Sequence, residues 1–244
     1  MLHSKPIILV PMAGNGTRFS KAGFTKPKPL IDVMGKPMIE RVADCLPIDA
    51  EWIFVVQQNH IDEFQIDKVL NDMRPGCTVL STGGGVTEGA ACTVLLAEKF
   101  IDNEQPLIII NSDNIIEWDA KDTIERWIAT KYDGLILVFN DTDPKWSFAK
   151  LDSAGFVTEV AEKQPISDLA TAGLYAWRRG SDFVKAAKSM IKQNIRFNNE
   201  FYLAPVYNQN ISLYGHKIVT HHVVMHGVGV PEDLAIYIKR FESQ

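Results

Sequence analysis

The chain has 244 residues, 46% of them apolar, which suits one globular domain with a large core. Its 25 Lys and Arg against 30 Asp and Glu give a net charge of −5, which excludes a field that gathers nucleic acid or an acidic membrane. Any phosphate ligand must therefore be held by local cations. No apolar run approaches the roughly 18 residues of a membrane span, and Met1-Leu2-His3-Ser4-Lys5 leads into the first strand without an apolar h-region. A cytoplasmic protein is expected, neither exported nor membrane-spanning. Three cysteines, Cys45, Cys77 and Cys92, are odd in number and lack C-x-x-C spacing, which predicts reduced, mostly buried thiols rather than a nucleophile.

The first predicted element is a buried strand over 6–10 (PIILV), and the stretch PMAGNGTRFSKAGFTKPKPLIDVMGK follows it. Glycines without a Cβ, Gly14 and Gly16, let successive backbone N–H groups turn toward one point, a concavity that binds phosphate oxygens. On their own they serve a tight strand-to-loop turn equally well. Arg18 adds a planar fork for two oxygens, and Lys28 a compact charge stiffened between Pro27 and Pro29. Two cations placed to converge on one point favour a polyanion site. A dinucleotide fingerprint is excluded because position 19 is Phe19 and not a third glycine, and a Walker loop because G-K-[S/T] is absent.

Helical spacing then covers 38–46 behind Pro37, followed by a strand over 52–56, a helix over 61–73 and a short strand over 78–80. The loop Ser81-Thr82-Gly83-Gly84-Gly85 feeds a helix over 88–96 that starts on small residues, Gly89 and Ala90. A strand over 107–110 opens onto Asn111-Ser112-Asp113-Asn114, and a helix over 120–131 and a strand over 135–139 complete the alternation. This rhythm predicts an α/β fold: a mainly parallel, Rossmann-like sheet with helices on both faces and ligands beyond the C-terminal strand ends. From Asp141 the rhythm changes to a hairpin (149–152 with 156–160), a strand over 171–177, a helix over 181–193, a late strand over 217–225 and a closing helix over 234–241 behind Pro231. Without linker or repeat, one domain over 1–244 is expected, with an alternating α/β part in 1–140 and a β-rich part in 141–244. His222 and His226 share a strand face about 13 Å apart, too far for one ion, so the four late histidines predict no zinc site.

At Gly14, Gly16, Thr17, Arg18, Pro27, Lys28 and Leu30 the sequence resembles the nucleotidylyltransferases that activate sugar phosphates, with the pattern A-G-x-G-T-R, a short gap and P-K-P-L. The resemblance implies transfer of a nucleoside monophosphate from an NTP to a phosphorylated small molecule, a sugar 1-phosphate first of all, with release of pyrophosphate in NDP-sugar and polysaccharide biosynthesis. It implies backbone contacts to the nucleotide from Met12, Ala13, Gly14, Asn15, Gly16 and Thr17, and from Gly89 and Ala90. Arg18 would serve the departing pyrophosphate and Lys28 the α-phosphate.

By itself an Asp at a strand end is more often a turn or cap residue. The resemblance implies that Asp113 holds Mg²⁺. Glu162 and Lys163 resemble the family's E-K-P element, Gly173 its N-x-G-x-Y strand with Ala172 in the polar position, and Glu200 its E-[YF]-[YF]-L element; all four would meet the acceptor. Trp146 is a packing aromatic by default.

Two departures stand out. Gly83-Gly84-Gly85-Val86-Thr87-Glu88 lacks the Gln that often reads the base, and the late D-x-G-T-P-E-D element has Gly227 in place of its aspartate. Glu232 and Asp233 are expected to serve only the first turn of the closing helix. Met12, where many sugar enzymes have Ala, and the insert Ala22-Gly23-Phe24 keep open a cytidylyltransferase for phosphocholine or a phosphoamino acid. A glycosyltransferase of related fold and a non-catalytic nucleotide-binding regulator are the readings from other classes. An oligomer is compatible with all of them.

Overall fold

The computed structural model describes residues 5–242. Residues 1–4, which carry most of the lead-in to the first strand, and 243–244 lie outside the described residues.

The first strand, Ile7–Pro11, shows why the sheet is covered on both sides. Ile8 and Val10 enter one core cluster with Trp52, Phe54 and Val56, whereas Ile7 and Leu9 enter the other with Ile53 and Val55. A strand apolar at every position can be buried only between two layers of helices. Met38–Asp44, Ile66–Met73, Ala120–Ala129 and Pro231–Phe241 supply buried residues to the first layer. Ala90–Leu95, Gly180–Lys192 and Val206–Tyr214 supply the second.

The nine-stranded sheet has a parallel block in the order Leu107–Ile110, Ile7–Pro11, Glu51–Val56, Thr78–Ser81. Leu169–Trp177 joins its edge antiparallel, with Tyr175 opposite Ile109, and leads through Ser147–Leu151 to Val157–Glu162. Gly134–Asn140 pairs antiparallel with Leu169–Trp177 and parallel with Ile218–His222. The expected α/β sheet with an added β-rich region is therefore the one observed.

The structure corrects two elements. The helix expected over 61–73 is two, Gln58–Phe64 and Ile66–Met73, because Gln65 turns left-handed at φ 52° and ends one as it starts the other. The strand expected over 217–225 leaves the main sheet after His222, and Val224–Gly227 instead pairs with Asn114–Glu117 in a two-stranded ribbon. Alternation along a strand does not reveal a change of partner. That ribbon sets Gly227 opposite Asn114 and so brings the late segment to the end of the central strand. The helices Thr17–Lys21 and Val206–Tyr214 were not expected from the pattern.

Arg178, just past the strand Leu169–Trp177, closes the far end of one covering helix. Its guanidinium donates to the carbonyls of Trp127 (3.1 Å), Ile128 (3.2 Å), Thr130 (2.9 Å) and Tyr132 (2.7 Å), at and just beyond the end of Ala120–Ala129. Arg178→Met keeps the apolar stem and removes every donor. It is expected to lower unfolding free energy by about 2–3 kcal/mol in urea titrations, and an unchanged midpoint would show that water replaces the guanidinium.

Candidate active site

The opening loop is shaped by two constraints at Gly16. Its φ of 60° lies in the left-handed region, and a Cβ there would stand 3.3 Å from the Cβ of Lys28. Behind the loop the buried Gln57 donates from Nε2 to the carbonyl of Ala13 (2.9 Å) and to Asn15 Oδ1 (3.3 Å), which ties the loop to the end of Glu51–Val56. Lys28 starts a single 3₁₀ turn, Lys28–Leu30, in which Pro29 and Leu30 are buried. With those two anchored, the lysine lines the cavities above the strand ends.

Asp113 reaches the same place from the other side. It lies between the end of Leu107–Ile110 and the start of Asn114–Glu117, and its carbonyl accepts from Val228 N at 2.9 Å. Gly229 must be glycine for the carboxylate to fit, since a Cβ there would be 2.5 Å from Asp113 Oδ2. The Lys28 ammonium donates directly to that Oδ2, with each side chain less than a quarter exposed.

Two adjoining cavities open here. One, of about 480 Å³, is lined by Met12, Gly14, Gly16, Thr17 and Glu200. The other, of about 290 Å³, is lined by Lys145, Trp146, Glu162, Lys163 and Gly173. Arg18, Lys28, Ala90, Asn111, Asp113, Tyr202 and Gly229 line both, so the residues with the most obvious phosphate chemistry stand where the cavities meet. Of the residues singled out in the sequence, Ala13, Asn15 and Gly89 line neither. The first two hold the loop through Gln57, and Gly89 packs on Phe201.

In the smaller cavity Glu162 is buried and bonded by the Ser147 hydroxyl. Burial raises its pKa above the usual carboxylate range, against the Ser147 hydrogen bond and the Lys163 charge, which pull it down. Lys163 adopts φ 53°, strained for a residue with a side chain, and donates to Tyr202 Oη at 3.0 Å. Gly173, at φ 76°, forms a bulge in its strand, and a Cβ there would meet Asn114 Oδ1 at 2.7 Å and Asn111 Nδ2 at 2.8 Å. Trp146 both packs edge-on against Phe139 and faces the cavity. Asp233, expected only to favour its helix dipole, also lines this cavity and pairs with Lys145 at 3.3 Å. Tyr202, Asn111, Asn114 and Lys145 were missed in the sequence, although each lies within a few residues of one that was named.

The late histidines do not gather. His226 Nε2 lies 2.6 Å from Glu117, and His221 faces Thr123 at 3.4 Å. Among the described residues no group of three or more His, Cys, Asp or Glu converges as metal ligands. The three thiols are free and partly buried, and burial pushes Cys45 up to about 11. Among the described residues no helix is long and apolar enough to cross a membrane.

A glycine loop and two cations at the C-terminal ends of a parallel sheet define an α/β protein with a site whose chemistry suits phosphate. The nucleotidyl transferase family model matches residues 5–203, and the chain belongs to that family.

Its relatives include the bifunctional protein GlmU of Methanocaldococcus jannaschii, 25% identical over 67% of this chain and 38% of the relative. The UTP–glucose-1-phosphate uridylyltransferase AglF of Haloferax volcanii is 29% identical over 68% of this chain and 69% of its own length. Mannose-1-phosphate guanylyltransferase 1 of Arabidopsis thaliana is 29% identical over 70% of this chain and 49% of its own length. The chain thus spans about two fifths of GlmU and half of the plant enzyme. Among solved structures, a nucleoside-diphosphate-sugar pyrophosphorylase from Vibrio cholerae superposes with a TM-score of 0.81 at 26% identity, covering 95% of this chain and 99% of that one. A UDP-glucose pyrophosphorylase complexed with UDP-glucose shares the fold at a TM-score of 0.78 and 16% identity, over 98% of this chain and 99% of that one.

Gly89 gives the site's geometry a direct check. At φ 122° it lies against Phe201, so that a Cβ would be 2.5 Å from both the nitrogen and the oxygen of that residue. Gly89→Ala is expected to lower stability by roughly 1–3 kcal/mol through backbone strain alone and to reduce activity as the two segments part. Unchanged melting and turnover would show that they are not joined as described.

Proposed function

We propose that the chain transfers a nucleoside monophosphate from an NTP to a sugar 1-phosphate, releasing pyrophosphate, with residues 1–140 holding the nucleotide and 141–244 the acceptor. The observation that carries this reading is the pair of cavities with Arg18, Lys28 and Asp113 in their common wall. An oxygen of the acceptor phosphate attacks the α-phosphorus in line, a new P–O bond forms, and the α–β bridge bond breaks to release pyrophosphate. The nucleophile is ionised at neutral pH, so positioning and charge neutralisation suffice and no general base is needed.

In the larger cavity the Met12 to Thr17 loop receives the nucleotide, and Arg18 takes charge from the leaving pyrophosphate. Lys28 moves from Asp113 onto the α-phosphate. In the smaller cavity Lys163 meets the acceptor phosphate and Glu162 accepts hydrogen bonds from acceptor hydroxyls, while Glu200 accepts from the acceptor out of the wall of the larger cavity. Asp113 fits Mg²⁺, because a carboxylate facing the phosphate-binding wall is the hard oxygen donor this ion takes alongside substrate oxygens. When bound, the ion supplies further neutralisation of phosphate charge.

AglF and the plant guanylyltransferase are named for glucose 1-phosphate and mannose 1-phosphate, which supports a sugar acceptor. A quaternary ammonium acceptor is disfavoured, because the aromatic pair suited to it, Phe197 and Tyr202, is already filled by the Lys163 ammonium. A cytoplasmic location accords with acceptors and NTPs of this kind.

The test is a matrix of the four NTPs against glucose, mannose and N-acetylglucosamine 1-phosphates, phosphocholine and phosphoamino acids, read by pyrophosphate release. At least one NTP and sugar 1-phosphate pair should be turned over, and release with none would refute the assignment. With the best pair, Lys28→Ala is expected to lower turnover by about a hundredfold or more with an unchanged circular-dichroism spectrum. Near wild-type turnover would remove Lys28 from the reaction.

A further inference from the structure

Tyr202 joins two residues of the site that arrive on different segments. Its hydroxyl oxygen accepts from the Lys163 ammonium at 3.0 Å, and Glu200 stands two residues before it on its own segment. Burial, and after it the Glu200 carboxylate, push the phenol well above its ordinary range. The ring also carries the ammonium, which lies 4.9 Å from its centroid and 5.8 Å from that of Phe197, and the two rings meet edge to face at 6.2 Å. Lys163 is thus held by one hydroxyl and two ring faces. A flexible four-carbon side chain is fixed at its tip, on a residue whose backbone is strained into the left-handed region. Tyr202 lines both cavities.

Resting on the nucleotidylyl-transfer reading, we propose that Tyr202 is the positioning residue for the acceptor phosphate: it presents the Lys163 ammonium at the junction of the cavities and fixes it relative to Glu200. When the acceptor phosphate arrives, Lys163 offers it a donor that is already in place, so little side-chain freedom is lost on binding. Tyr202 does not itself touch the reacting atoms in this account. Its contribution is to acceptor affinity.

The experiment uses the full chain and whichever of glucose, mannose or N-acetylglucosamine 1-phosphate supports the fastest pyrophosphate release. Tyr202→Phe keeps the ring and removes the hydroxyl. It is expected to raise the acceptor KM about tenfold, on the scale of one hydrogen bond to a charged group, with the NTP KM within about twofold and melting unchanged. Phe197→Leu, which leaves the hydroxyl, should raise the acceptor KM by about threefold.

In a Lys163→Ala background, where acceptor KM has already risen, Tyr202→Phe should add nothing, because its effect runs through the lysine. An acceptor effect that persists in that background, or an equal rise in both KM values, overturns the proposal. If Tyr202→Phe melts early, the Phe197→Leu series with and without Lys163→Ala decides by the same criterion. A Lys163→Ala enzyme with an unchanged acceptor KM, or a wild type that turns over none of the three acceptors, overturns the functional reading and the inference together. A shifted Lys163→Ala enzyme with an unshifted Tyr202→Phe enzyme overturns only the inference.

Discussion

The contact between Lys28 and Asp113 is the point on which the rest of the molecule converges. Its two residues are 85 apart in sequence, yet the strands before them, Ile7–Pro11 and Leu107–Ile110, are parallel neighbours with Leu9 opposite Ile109. Parallel neighbours end at the same edge, so the loop after Ile7–Pro11 and the turn after Leu107–Ile110 must share that edge. The pair is partly desolvated, and leaving either charge without a partner there carries a penalty that a surface pair does not. Substrate binding by the proposed route avoids it. Lys28 exchanges a carboxylate for a phosphate while Asp113 exchanges an ammonium for a cation, and neither charge is stranded.

The two halves of the cavity are joined by backbone. Phe201 N donates to the carbonyl of Glu88 at 2.8 Å and Ala91 N to the carbonyl of Phe201 at 3.0 Å, with Gly89 between them. Arg196 adds an ion pair to Glu88 at 2.8 Å and lies over the Phe201 ring at 4.2 Å. Ala90 is in the shared wall, whereas Glu200 and Tyr202 flank Phe201, so in the proposed reaction the clasp would fix the distance between the nucleotide segment and the acceptor segment. In a transfer between two bound phosphates that distance decides whether attack is in line.

Much of this was legible in the sequence, for physical reasons that differ from place to place. The parallel block announces itself because strands buried on both faces read as unbroken apolar runs, as in Ile7-Ile8-Leu9-Val10 and Leu107-Ile108-Ile109-Ile110. Arg18, Lys28 and Asp113 were found because they sit in compact motifs next to such runs. Tyr202 and Asn114 were not, because a tyrosine or asparagine beside a named residue carries no signal until the fold shows which way it faces. Gln57 escaped for a related reason: its work is to hold Ala13 and Asn15 from behind, and no spacing rule connects 57 to 13. The ribbon formed by Val224–Gly227 and Asn114–Glu117 is a tertiary choice between two partners for one extended segment, and alternation is the same in either.

That ribbon also explains how the late segment manages without a carboxylate at Gly227. A Cβ on Gly227 would stand 3.0 Å from Cη2 of Trp146, so any side chain there must displace the indole. The indole is not free to yield: its Nε1 donates to Asp141 at 3.0 Å, its edge packs on Phe139, and the Lys145 ammonium lies 4.7 Å above it. Asp233 Oδ2 comes within 3.9 Å of the same point, but its charge is already matched by Lys145. The carboxylate nearest Gly227 is thus committed to Lys145, whereas Asp113 pairs with Lys28, which in the proposed reaction moves onto phosphate. Under the proposed reaction Asp113 is therefore the residue that would hold a divalent ion, a hard oxygen donor of the kind Mg²⁺ takes.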